Sequence, residues 1–542
     1  MYAAGRAADL PGLCRNGPAY VRQRTVFALV FTQNLQVHIP SFNPVAGASV
    51  LRYAPLCRTA LRGLVFTLGL ASAGAVFAAE PAFTGWPKSW ASQASVAEPG
   101  DSDKPGLDLP ADAAARKSYT IPAVEILGFA AMLNLINRGD PSGDYKSNLS
   151  TVNRNLRSSW VIDEDPFRTN QLGHPYAGSV YHGLARSSGL GYWEALPYTF
   201  AGSALWEIAG ERVPPSRNDQ INTGIGGSFL GEALFRLSNL VLEHGNGAHP
   251  LLREIGAAAI SPGNGFNHRF LRDRLDTIFA SRNPAYYSRL QLGFSGTAKD
   301  AKGTSTTQLK KNEALADFSI DYGLPGKPGY TYTRPFDYFN LQATASTANG
   351  FENLMTHGLL IGKDYQAGRN YRGIWGLYGS YDYIAPQIFR VSSTALSLGT
   401  TAQWRLSNSI TLQGTGLAGV GYTAVGTTRP DASELEYHYG AAPQALLALR
   451  MIFGERSSLD LTAREYFVSN IAANRGGRDN IVRLDASYTV RIKRQHALTI
   501  KYLGNRRDAA FPDLGTRTQA RATIGIFYTY LGQDGFGNFD WF

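Results

Sequence analysis

Cysteine is almost missing. Cys14 and Cys57 are the only two in 542 residues, and both precede the end of an apolar leader at about residue 78. The chain beyond it therefore has no disulfide and no thiolate metal ligand. Charged residues are also scarce, at 17%, and the formal excess of +10 is concentrated early. The first 78 residues hold seven Arg and one Asp, which leaves 45 basic against 41 acidic residues in the rest. The basic pI is thus no argument for a nucleic-acid partner. After about residue 80 no run of eighteen uninterrupted apolar residues occurs, which argues against a helical membrane span and leaves strands as the way to cross a bilayer. There is no G-x-S-x-G elbow, no Walker-type loop and no H-E-x-x-H ligand pattern. No cofactor and no metal site is expected; His174 and His182, eight residues apart, do not make a ligand pair.

What is present begins with an export signal. Arg58 and Arg62 precede Gly63-Leu-Val-Phe-Thr-Leu-Gly-Leu-Ala-Ser-Ala-Gly-Ala-Val76, and Val76-Phe77-Ala78 offers a peptidase site. The signal is displaced from residue 1, and a GTG start at Val50 would restore ordinary proportions. Residues 79–117 are rich in Pro, Ala, Ser, Asp and Lys and read as a flexible periplasmic segment.

From 118 to 245 the pattern is helical and apolar, in pieces 121–137, 174–189, 193–210 and 219–243. Small residues recur inside them, as in Gly224-Ile-Gly-Gly-Ser-Phe-Leu-Gly231, and permit close helix crossings. None of the pieces reads as able to cross a bilayer alone, yet each is too apolar to stand free in water. Residues 246–285 turn polar and Pro/Gly-rich and read as a linker carrying a short basic helix near Phe270–Asp276.

From 286 onward the period changes to two. Twelve candidate strands follow: 286–297, 313–323, 334–346, 353–363, 370–383, 389–405, 408–424, 436–453, 456–469, 480–494, 496–505 and 516–531. Gly454–Ser457 and Arg494–His496 suit tight turns; 427–433 and 506–513 suit longer outer loops. Thr523-Ile-Gly-Ile-Phe-Tyr-Thr-Tyr-Leu531 suits a lipid-facing strand, and Phe542 ends the chain as bacterial outer-membrane barrels end. The fold class expected is α+β: a transmembrane antiparallel β-barrel of about twelve strands preceded by an N-terminal apolar helical domain. Tyr, Phe and Trp at strand ends favour this over a soluble sandwich or a lipocalin-like barrel.

Ionisable groups on apolar helices are costly unless paired. His174 opens a helix with Pro175 behind it, and Tyr181 and Arg186 follow at spacings of seven and twelve on roughly one face. Glu207, Glu211, Asp219 and Glu232 come from the next helices. His174, Glu207, Glu211 and Asp219 are the candidate catalytic residues; Asn170, Tyr176, Tyr181, Arg186, Ser216, Asn222 and Glu232 are candidates for binding. A structural account competes: Ser216 with Asp219 as a helix cap, Arg186 neutralising a glutamate, His174 satisfying a helix start. On the barrel, Arg464-Glu465, Arg483, Asp485, Glu436 and Arg450 could line the lumen or pair across strands.

Asp165-Pro-Phe…Asn170-Gln-Leu-Gly-His-Pro-Tyr-Ala-Gly178…Tyr181…Ala185-Arg-Ser, followed by Trp206-Glu…Glu211…Pro215-Ser-Arg-Asn-Asp219…Thr223-Gly-Ile-Gly-Gly…Gly231-Glu, resembles the bacterial family of domain of unknown function 3943 over about residues 150–245. That resemblance implies the architecture and an envelope setting, and no reaction. Glu207…Arg212…Ser216-Arg-Asn-Asp219…Asn222…Gly224 is similar to a motif of VanZ-type membrane proteins. The expected protein is a Gram-negative outer-membrane barrel with a periplasmic or luminal helical plug. It would bind or pass an envelope component and partner with outer-membrane lipid and with a small-molecule, lipid or glycan ligand. The alternative is an envelope enzyme modifying lipid or glycan through the helical cluster.

Overall fold

The computed structural model describes residues 117–139, 143–163, 165–244, 249–271, 279–302, 311–427, 434–470, 477–512, 515–533 and 535–538. The expected export signal, both cysteines, nearly all of the 79–117 segment and Phe542 lie outside the described residues. Helices α1 (Thr120–Asn137), α2 (Leu149–Asn155), α3 (His174–Ser187), α4 (Tyr192–Leu205), α5 (Arg217–Ile221), α6 (Gly227–His244), α7 (Pro250–Ile260) and α8 (Pro262–Phe270) come first. Twelve strands follow: β1 (Tyr286–Lys302), β2 (Asn312–Tyr322), β3 (Phe339–Ser346), β4 (Asn353–Ala367), β5 (Tyr371–Ile384), β6 (Phe389–Arg405), β7 (Ile410–Thr427), β8 (Tyr437–Phe453), β9 (Ser457–Asn470), β10 (Arg478–Lys493), β11 (His496–Phe511) and β12 (Gly515–Leu531). They close into one antiparallel barrel in which β1 pairs with β12.

Three expectations need revision. The stretch 246–285 contains α7 and α8, which pack on α3 and α6. The segment 506–513, read as a loop, continues β11 to Phe511, because the alternation persists: Arg506 faces out while Arg507 turns inward to Asp479 at 2.7 Å. Finally, α1 is long and apolar enough to cross a membrane by length and composition, against the expectation that none of the helical pieces could do so alone.

Strand alternation sorts side chains onto two faces. On β5, Ser380 and Asp382 point across the lumen. Ser380 accepts from Gln444 of β8 at 3.5 Å, and Asp382 pairs with Arg464 of β9 at 3.3 Å and accepts from Tyr466 at 2.7 Å. Arg450 of β8 reaches Asp321 of β2 at 3.0 Å, which joins opposite sides of a twelve-strand ring. Arg289 with Asp460 (3.2 Å) and Lys501 with Asp317 (3.7 Å) and Asp485 (3.0 Å) fill further levels. At one end the chain terminus tucks in: Gln413 donates to the Gly537 carbonyl at 2.6 Å, and Phe536 is buried with Tyr287 and Tyr338. At the other, Gln519 donates to the Ile388 carbonyl at 2.9 Å. Two spaces between these groups are small, one of about 20 Å³ beside Asp317, Arg483 and Lys501 and one of about 10 Å³ beside His357, Asp382 and Arg464. Each has room for about one water. Arg450, Arg464, Arg483 and Asp485 thus face the lumen, where Arg450 and Arg464 also form ion pairs, whereas Glu465 faces out.

The other face is apolar. Phe294 (75% exposed), Leu398 (66%) and Ile492 (70%) stand on it, with Trp375, Trp404, Tyr488, Tyr502 and Tyr528. Over β2 to β8 part of this outer face is covered by the helices. The residues of β5 that alternate with Ser380 and Asp382 are Gly379, Tyr381 and Tyr383, and these meet the helical domain: the ring of Phe229 lies on Gly379, the Tyr381 hydroxyl donates to the Gln171 carbonyl at 2.5 Å, and Tyr383 packs against Phe167. Phe318, Ile320, Tyr322, Phe339, Leu341, Leu354, Ala424 and Tyr439 share one buried cluster with Phe229, Leu230, Leu234 and Leu237 of α6. Each such aromatic or leucine contributes about 1.5–3 kcal/mol when fully buried. The luminal plug is therefore replaced by a side-docked bundle, and the reason is physical: the lumen is lined by charges that pair with one another, and only the outer wall offers the apolar surface these helices must bury.

Two local features allow the docking. A Cβ on Gly178 would come within 2.1 Å of the Thr223 carbonyl oxygen, and one on Gly227 within 2.6 Å of Gly178 Cα, so α3 and α6 cross backbone to backbone. Phe336 holds a left-handed backbone, φ 63°, and inserts its ring between Tyr192, Phe229 and Phe339. A bulky residue in that region is strained, and the surrounding packing holds it there.

Candidate functional site

Four helices of the bundle run on from, or into, one of three π-helical turns: Thr169–Gly173 before α3, Trp206–Gly210 after α4, and Asn222–Gly226 between α5 and α6. A π turn inserts a residue into the α ladder and re-aims its side chains, and such turns recur at functional sites. Here they surround one polar cluster. His174 starts α3 where the first turn ends, Glu207 sits within the second, and Asp219 lies on α5 just before the third.

His174, Glu207 and Asp219 are all buried, and one donor atom from each lies within 4.8 Å of the others. His174 Nε2 stands 4.0 Å from Asp219 Oδ2, too far for a hydrogen bond. The far side of each group is held: Thr223 Oγ1 is 3.3 Å from His174 Nδ1, the Ser216 amide donates to Glu207 Oε2 at 2.9 Å, and Asn218 Nδ2 donates to Asp219 Oδ1 at 3.2 Å. Glu207 Oε1 and Asp219 Oδ2 have no hydrogen-bond partner. Burial pushes Glu207 up to about 8, eased by the Ser216 amide and reinforced by Asp163 and Asp165. Burial, then Asp163 and Glu207, lifts Asp219 well above the carboxylate range; burial, then Glu207, does the same to Glu211. Burial lowers His174 to about 4, against the pull of Asp163.

The remaining candidates fall into three groups. Glu211, Ser216, Asn170 and Asn222 border the cluster. Trp206 Nε1 donates to Glu211 Oε1 at 2.7 Å; the Ser216 hydroxyl accepts from the Asp219 amide at 3.2 Å as a helix cap; Asn222 donates to the Asn170 carbonyl at 3.1 Å. Tyr176 and Tyr181 belong to an apolar cluster with Ile126 and Phe129, Tyr181 edge-on to Phe129 at 5.7 Å. Arg186 and Glu232 form a second polar centre. Arg186 Nε meets Glu232 Oε2 at 2.6 Å, Arg236 Nε meets Oε1 at 2.8 Å, His182 Nε2 stands 3.1 Å from Oε2, and Arg236 goes on to Asp337 at 3.0 Å. Arg186 does neutralise a glutamate, as the structural account held, and it does so away from His174.

Sequence reasoning passed over the wall's part. Tyr439 OH accepts from Gln171 (2.8 Å) and Asn218 (2.9 Å), and Tyr437 OH accepts from Asn170 (2.9 Å) and donates to the Asp165 carbonyl (2.7 Å). Asp163, which accepts from Asn170 at 2.7 Å, was also missed as a site residue. The signal for the tyrosines was an aromatic pair, Tyr437 and Tyr439, on a strand face that continues through Ala441, Pro443, Ala445 and Leu447.

Among solved structures the chain is similar to the "TodX monoaromatic hydrocarbon channel deltaS2 mutant" (9% identity, 46% of this chain and 91% of that one, TM-score 0.20). It is also similar to the beta domain of the Bordetella autotransporter BrkA (15%, 45% and 98%, 0.19) and to the translocator domain of the autotransporter NalP from Neisseria meningitidis (12%, 45% and 87%, 0.18). Superpositions this loose say nothing of ligand or activity. No curated protein matches. The family match falls on the helices instead: residues 159–263, which include His174, Glu207, Asp219, Arg186 and Glu232, match the family described as "Domain of unknown function (DUF3943)".

Proposed function

We propose that this chain is an outer-membrane protein whose barrel is a closed scaffold and whose helical domain, docked on the outer wall, binds a lipid or glycan of the envelope. The observation that carries this reading is the Arg450–Asp321 ion pair, 3.0 Å long and joining opposite sides of the ring. With the luminal charges paired across the barrel, passage gives way to binding. The apolar outer face supports a bilayer setting, since lipid-facing and lumen-facing residues alternate along such strands. The bundle adds exposed apolar residues of its own, Val124, Leu127 and Leu135 on α1 and Leu251, Leu252 and Ile255 on α7. Patches of this kind mark interaction surfaces, and beside a lipid-facing wall acyl chains are the fitting contact.

The enzymatic reading is favoured by one observation, the three π turns around His174, Glu207 and Asp219. The test of the primary reading uses the full chain in planar bilayers and in detergent. No steady single-channel conductance is expected, and envelope lipid should stay bound through detergent washing, then be released by Leu251→Asp with Ile255→Asp. A steady ohmic pore in the unaltered protein would overturn the closed scaffold. Lipid retention indifferent to the double substitution would overturn binding through the helical domain.

A further inference from the structure

We propose that His174, Glu207 and Asp219 form a binding site for one divalent transition-metal ion. The inference goes beyond the preceding reading and holds whether the helical domain binds a lipid or acts on it.

The free atoms point to an ion. Each ligand is oriented by a partner on its far side (Thr223, the Ser216 amide, Asn218), and the near atoms converge within 4.8 Å. Metal-binding histidines and carboxylates are oriented in this way by outer partners. Glu207 Oε1 and Asp219 Oδ2 are buried, aimed into the shared space, and without a hydrogen bond. Unsatisfied buried acceptors of this kind need an explanation. Among the described residues no Lys or Arg forms an ion pair with either group, and the neighbours that act on them are further carboxyl groups, Asp163, Asp165 and Glu211. A cation in the middle supplies what a guanidinium supplies elsewhere in the same bundle.

The donor set selects the class of ion. One imidazole nitrogen and two carboxylate oxygens suit Zn²⁺, Mn²⁺ or Fe²⁺ and leave at least one coordination position open. Donors about 2.1 Å from a tetrahedral ion stand about 3.4 Å apart, so closing the present separations takes side-chain movements of about 1 Å. Exposure of 7% for His174 and 1% for Glu207 and for Asp219 suits a monatomic occupant better than a head group. The competing account is a dry network in which the carboxyls are protonated and hold no ion.

The two accounts part in one set of measurements on the full chain. Metal analysis of protein isolated from membranes is expected to give close to one transition-metal ion per chain. Chelation should lower the melting temperature, and Zn²⁺ or Mn²⁺ alone should restore it. Glu207→Gln and Asp219→Asn, which keep shape and hydrogen bonding, should weaken Zn²⁺ binding at least tenfold and abolish the chelator effect. Metal-free protein whose melting temperature ignores millimolar Zn²⁺, together with Gln and Asn variants that melt higher than the parent, would overturn the proposal in favour of protonated carboxyls. Should Glu207→Gln misfold, Thr223→Val serves as the second variant: lower Zn²⁺ affinity supports the site, and unchanged affinity in protein that does bind Zn²⁺ overturns the ligand set. None of these readouts depends on lipid retention or conductance.

Discussion

Two buried carboxylate centres lie in one helical domain, and they are built in opposite ways. Glu232 is enclosed by Arg186, Arg236 and His182, each within 3.1 Å. Burial alone would raise its pKa, but Arg186, the hydrogen bond from His182, and Arg236 hold it well below the usual range. Glu207 and Asp219 have no such escort, and their pKa values go the other way. The first centre is complete as it stands and ties α6 to the wall through Arg236 and Asp337. The second is complete only with something added. Equal burial therefore does not mean equal role; what separates structure from function here is whether the protein satisfies its own charges.

The comparison can be broken by substitution. Arg236→Ala leaves Glu232 and Asp337 short of a buried partner and should cost about 3–5 kcal/mol, read as a fall in melting temperature or failure to assemble. Gly178→Val forces α3 and α6 apart and should cost about 1–3 kcal/mol by overpacking. A wild-type-like melting curve for either would deny the packing described. Acid separates the centres as well: the Glu232 contribution is fully present above its ordinary pKa and is lost as pH falls through the depressed one, so Glu232→Gln should flatten the acid limb of stability below about pH 4. At the small end, Arg506→Ala breaks an exposed pair with Asp508 and should leave stability unchanged, since surface ion pairs contribute little.

Much of the fold was legible because period-two and period-3.6 patterns are local. Thr523–Leu531 alternates in to out along β12, and His174-Pro175 marks the start of α3. The relation of helices to barrel was not, because alternation separates two faces without saying what covers them. Tyr381, Tyr383, Tyr437 and Tyr439 suited a membrane interface by residue type, yet they are the dock. His174 and Arg186, twelve residues apart on α3, stand about 120° apart around the helix at 3.6 residues per turn and, at about 1.5 Å each, about 18 Å apart along it, so one cluster in sequence became two centres in space. Ser216 as cap to Asp219 was readable from spacing. The free oxygens of Glu207 and Asp219 were not, since hydrogen-bond satisfaction is a three-dimensional property.

The central claim is that the helical domain sits on the outside of the barrel, and one cross-link tests it most directly. Gly226 faces Thr394 on the outer face of β6, with a Cβ built on the glycine 3.9 Å from Thr394 Cβ, within disulfide reach. With Cys14 and Cys57 changed to Ser, Gly226→Cys with Thr394→Cys should form a disulfide in the membrane-assembled protein, and Gly226→Cys with the lumen-facing Ser393→Cys should not. A disulfide to position 393 and none to position 394 would place the helices in the lumen and contradict the account.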